Sequence, residues 1–137
     1  MGQQDMKKRA PAGRALVWLA GVNFLAVMAS CWAAVDADLM QSMDERQKSL
    51  SSHLALKNAK GASQDAREME DMLKEVEAHF VQKGNAPDGV QWSVESRQLA
   101  SGVVDAVNHA DFAGASQKAV AMAKNCKACH QIYKTKD

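Results

Sequence analysis

Cys126, Cys129 and His130 stand together in the run Cys126-Lys127-Ala128-Cys129-His130, close to the end of a 137-residue chain. Two thiols three positions apart with a histidine directly after them form the c-type haem attachment pattern: each thiol adds across a vinyl group, and the imidazole binds the iron. On a helix, positions i, i+3 and i+4 share one face, so a flat macrocycle can be fastened along it. Two other chemistries use C-x-x-C. A thioredoxin-like redox pair needs a βαβ setting with the motif opening a helix. A closed zinc site needs four ligands, and no second Cys/His pair at metal spacing accompanies the first.

The elements that would position this triplet are helices. Aromatic residues make up only 5% of the chain while Ala, Met and Leu are plentiful, which favours helix over sheet. The first helical segment, about 38–58, sets Leu39, Met43, Leu50 and Leu54 on one stripe, with Arg46 and His53 at its margins. Lys60-Gly61-Ala62-Ser63 reads as a turn, with Gly61 as C-cap and Ser63 as the next N-cap. The second segment, 63–83, repeats Ala66, Met69, Leu73, Val76 and Phe80, and ends at Gly84. Residues 85–89 read as a loop. The third, about 91–108, shows Trp92, Leu99, Val103, Ala106 and then Ala110 in the same rhythm. Asp111 is the expected N-cap of the fourth, which runs to about Lys134 with Phe112, Ala115, Ala119, Met122, Cys126, Cys129 and Tyr133 inward. This pattern predicts an all-α, antiparallel up-down-up-down four-helix bundle over 38–137. Roughly 100 residues make a small core, so a buried haem would supply apolar surface and the haem-free form is expected to be loosely packed.

Residues 1–37 have a different character. Lys7, Lys8, Arg9 and Arg14 precede an apolar run from Ala15 to Ala29, followed by small residues. This is the pattern of a secretory signal peptide, cleaved after Ala33 or Ala37, with Ala37 preferred. The run from Ala15 to Val35 is also long enough to stay as a membrane anchor, and Met28-Ala29-Ser30-Cys31 resembles a bacterial lipoprotein box that would lipidate Cys31. Each version places the domain in the periplasm or tethered to a membrane facing it. Covalent haem attachment in bacteria follows export, so leader and motif support each other. From residue 38 onward there are 13 basic and 14 acidic side chains. A near-neutral domain without a basic stripe argues against nucleic-acid binding.

From Asp38 to Lys134 the chain resembles the class II c-type cytochromes, the cytochrome c′ family. The resemblance rests on attachment near the C-terminus, on Cys126-Lys127-Ala128-Cys129-His130 followed by Gln131-Ile132-Tyr133-Lys134, and on Glu45-Arg46-Gln47-Lys48-Ser49-Leu50 in the first helix. It implies one covalent haem c, thioethers at Cys126 and Cys129, and His130 as proximal iron ligand. It sets Tyr133 and Lys134 near the proximal side, where the family commonly has Arg in place of Lys134. Arg46 falls where the family has an arginine near a haem propionate, and Leu50 where it has the residue over the distal face. Leucine cannot ligate iron, so the match implies five-coordinate iron open to NO or CO. A homodimer through the first two helices is a further implication.

Three functions follow as expectations. The first is a haem- and iron-binding, one-electron carrier with an open distal site under Leu50. The second is a six-coordinate low-spin electron carrier with Met43 or His53 as sixth ligand, serving redox partner proteins. The third is a haem-free exported helical module with a disulfide or metal at Cys126 and Cys129. No catalytic acid, base or nucleophile accompanies the motif, so the expected role is not that of an enzyme.

Overall fold

The structure is a computed structural model that describes residues 37–134; the expected leader through Asp36, with Cys31 and the expected cleavage after Ala33, lies outside the described residues. Those residues form four helices and no strand: α1 (Ala37–Ala55), α2 (Ala59–Lys83), α3 (Pro87–Asn108) and α4 (Phe112–Tyr133). Links this short, residues 56–58, 84–86 and 109–111, bring each helix back beside the last. α1 packs on α2, α2 on α3 and α3 on α4, and α4 closes the ring against α1 in the slightest of the four contacts. No helix among the described residues is long and apolar enough to cross a membrane.

Local chemistry sets the ends. Asn58 caps α2, its side-chain oxygen accepting from Gly61 N at 3.1 Å, so the helix starts four residues earlier than the sequence pattern indicates. Gly61 therefore lies inside α2, and its role is close approach: a Cβ there would sit 2.6 Å from the His53 ring. Pro87, without an N–H to place, opens α3 at its first turn, which takes residues 87–89 of the expected 85–89 loop into that helix. Asp111 caps α4 as expected, accepting from Gly114 N at 2.8 Å.

The core is built from Met43, Leu50 and Leu54 of α1, Ala66, Met69, Leu73, Val76 and Phe80 of α2, and Ala115, Ala119 and Met122 of α4. α3 turns a different face inward from the one its large residues suggest. Gly89, Ser93, Ser96, Ala100, Val103 and Val107 are buried, whereas Trp92, Leu99 and Ala106 are half-buried and Ala110 is exposed. Small side chains let α2 and α3 come close: a Cβ on Gly89 would meet the Phe80 ring at 2.6 Å. The Ser93 hydroxyl is satisfied by donating to the Gly89 and Val90 carbonyls.

One charged group is buried in this interior. Asp65, 2% exposed, joins α2 to α1 through His53 Nδ1 at 2.7 Å and Arg46 Nη1 at 3.1 Å, and Arg46 Nε also reaches Glu68 Oε2 at 2.7 Å. Burial pushes the Asp65 carboxyl up, but hydrogen bonds from Ser49, His53 and Arg46 outweigh it, and the group is held below the ordinary aspartate value. Because the folded chain binds that proton less readily than the unfolded one, the stabilisation is complete above the ordinary value near ~3.9 and disappears as pH falls through the folded value. Asp65→Asn is expected to cost about 2 kcal/mol in urea unfolding at pH 7. The difference from wild type should shrink toward pH 3.

Candidate functional site

The sparse α1–α4 contact leaves a cleft of about 420 Å³. α1 contributes Met40, Met43, Asp44 and Gln47, α4 contributes Ala123, Cys126, Lys127, His130 and Gln131, and Met69 of α2 lies at its back. The helical period explains the set: Met40, Met43 and Gln47 are spaced by three and four on α1, as are Ala123, Cys126, Lys127, His130 and Gln131 on α4. Antiparallel pairing places the start of α1 opposite the end of α4, and the two helices are pinned nearer the bundle's middle where Gln47 Nε2 donates to the Ala119 carbonyl at 3.3 Å.

Cys126 and Cys129 are half-buried and form no disulfide. Cys126 lines the cleft, while Cys129 packs against the adjoining core. Burial pushes both thiols above their ordinary value, with the neighbouring Cys129 adding to the effect at Cys126. Near neutral pH they are therefore thiols rather than thiolates, and they sit in the last turns of α4, not at a helix N-terminus that would activate them. His130 is exposed at the cleft wall.

The other residues singled out in the sequence are dispersed. Met43 is 7% exposed and lines the cleft across from His130. Leu50 is fully buried two turns further along α1 and does not line it. Arg46 faces α2, engaged by Asp65 and Glu68, and His53 is engaged by Asp65. Tyr133 turns toward the end of α2, its ring centroid 4.8 Å from that of Phe80, with Lys83 Nζ 5.2 Å from its centre. Lys134 is exposed beyond the helix end. Met40, Gln47 and Met69, like Asp44 and Ala123, line the cleft without any signal in the motif itself. The first two lie three residues before and four after Met43, a spacing that would have found them.

Cys126 and His130 line one wall of the cleft, the Met43 thioether stands on the facing wall, and Met40, Met69 and Ala123 offer apolar surface. Among the described residues no group of three or more His, Cys, Asp or Glu is placed to hold a metal ion. Gln47, one of the lining residues, has a buried Oε1 without a hydrogen-bond partner among the described residues. No family model, no characterised protein and no solved structure matches the chain.

With their values raised by burial, Cys126 and Cys129 are expected to react with iodoacetamide at pH 7.5 more slowly in the folded chain than in urea, as read by mass spectrometry of the labelled peptides. Equal rates would mean that this end of α4 stands open.

Proposed function

We propose that this chain is an exported c-type cytochrome of the class II, four-helix kind, which carries single electrons on one haem bound through Cys126 and Cys129, with His130 and Met43 as its iron ligands. The observation that carries this reading is that Met43 on α1 and His130 on α4 line the two walls of one cleft with Cys126 beside them. When bound, haem supplies reversible one-electron chemistry at iron, and imidazole–thioether ligation raises its potential. The residues of the chain then have separable tasks. Cys126 and Cys129 fix the group to α4, His130 offers a ring nitrogen, and Met43 offers sulfur from the opposite helix. Met40, Met69 and Ala123 keep water from the inner face. The hydrogen bond from Gln47 to the Ala119 carbonyl holds the two walls in register.

A sixth ligand is favoured over an open distal face by the position of Leu50. Seven residues beyond Met43 corresponds to about 10 Å along a helix, and Leu50 is enclosed by the core. The haem-free disulfide reading gains little from thiols whose ionisation is suppressed by burial. Export agrees with the leader and with covalent attachment.

The ferrous protein is expected to show sharp low-spin α and β bands that CO does not change at once. Met43→Leu should give a high-spin spectrum that binds CO readily, while Leu50→Met should leave the spectrum as it is. A wild-type spectrum that is already high-spin and sharpens with CO would restore the open, gas-binding site.

A further inference from the structure

Charge is unevenly divided in this bundle. From Phe112 to Lys134 there are four lysines, Lys118, Lys124, Lys127 and Lys134, and no carboxylate, whereas residues 37–111 carry 8 basic and 13 acidic side chains. The cross-helix ion pairs seen among the described residues lie in that acidic part, between α1 and α2 or α2 and α3. None of the four α4 lysines has a carboxylate within ion-pair distance among the described residues. Lys118 lies along α3, its stem 3.1 Å from where a Cβ on Gly102 would be. The other three are exposed and share a stripe with Val120 and Gln131. Positions 120, 124, 127, 131 and 134 alternate spacings of four and three, which keeps them on one helical face.

Support of the helix dipole does not account for this stripe. The dipole acts within the last turn, where Lys134 lies, but Lys124 and Lys127 are further back. What the stripe does border is the cleft: Lys127 and Gln131 form part of its α4 wall. On the opposite wall Asp44 is occupied by Lys48 at 2.6 Å. One wall of the cleft is thus bordered by a stripe of lysines without carboxylate partners among the described residues, with an exposed valine, 57% accessible, at the end of the stripe away from Lys134.

We propose that this α4 face, centred on Lys124, Lys127 and Lys134, is the docking surface for an acidic one-electron redox protein. The inference rests on the cytochrome reading for the identity of the partner, not for the existence of the face. A partner seated there would cover the wall formed by Lys127 and Gln131, and a haem held by Cys126, Cys129 and His130 would supply the single electron by which the partner's acceptor is reduced, with no proton moved. Complementary charge steers encounter and raises its rate, by roughly ten- to a thousandfold at low salt. An anionic membrane is the weaker candidate, because three lysines and one valine offer little to insert.

Two measurements test it. In the haem-loaded protein, ferricyanide stands in for the acidic partner and hexaammineruthenium(III) for a basic one, and stopped-flow rates are followed against ionic strength. Ferricyanide oxidation is expected to be on the order of tenfold faster at 20 mM than at 500 mM salt. The ruthenium complex should show no such gain, and the triple substitution Lys124→Glu, Lys127→Glu, Lys134→Glu should reverse the order. Independently of haem, the wild-type chain should be retained on a sulfonate resin at pH 7.5 and the triple variant should not. Rates that ignore salt, as evenly spread charge on a near-neutral domain would give, overturn the proposal, as does a variant retained like wild type. A salt-sensitive dimer in sedimentation would assign the face to a second copy, and cosedimentation with phosphatidylglycerol vesicles at physiological salt would assign it to a membrane. A preparation without haem absorbance would overturn the cytochrome reading, and the resin result would still decide the face.

Discussion

The molecule depends on how α1 is fastened. Along its second half it is sealed to the bundle by Leu50 and Leu54 and by the buried Asp65, which draws His53 and Arg46 onto α2. Near its middle, Gln47 ties it to the Ala119 carbonyl of α4. Four helices with three short links must close a ring, and this ring closes least tightly where α1 meets α4. The cleft with Met43, Cys126 and His130 is the consequence. A charge cluster would be a poor choice for stability alone, since a well-packed apolar substitute often does as well. Here it gives α1 one defined seat on α2, and with it a defined distance to α4.

Much of this was legible in the sequence. The stripes on α1, α2 and α4 were readable because their large apolar residues recur at helical spacing, and the buried residues Met69, Leu73, Val76 and Phe80 are the ones the period selects. On α3 the period marks Val103, which is buried, but not Gly89, Ser93, Ser96 and Ala100, which share its inner face and which hydrophobicity does not mark as core. They are inside because a close helix pair needs small side chains, a requirement set by Phe80 on another helix. The first turn was misplaced for a related reason. Gly61 looks like a helix end, yet it is spent on contact with the His53 ring, and Asn58 does the capping. Asp65 occupied a core position of α2, three residues after Ala62 and four before Met69, and its buried role follows only once His53 and Arg46 are seen to reach it.

The candidate site divides in the same way. Cys126, Cys129 and His130 were fixed by a local spacing that any helix displays. The residue opposite them depends on the register between α1 and α4, which no local pattern encodes, and a short match in the first helix pointed to Leu50. Packing sets that register, and with it Met43 is brought to the cleft while Leu50 is kept in the core. Cys126, Met40, Met69 and Gln47 then share the lining of one cleft, while Cys129 packs against the adjoining core.

The measurement that bears most directly on the central claim is the intact mass, in denaturant and after alkylation, of the protein exported in a host that attaches haem. The expected mass is that of the processed chain plus one haem, with Cys126 and Cys129 both refusing the alkylating reagent. A bare chain carrying two labels there, or a disulfide between the two, would contradict it.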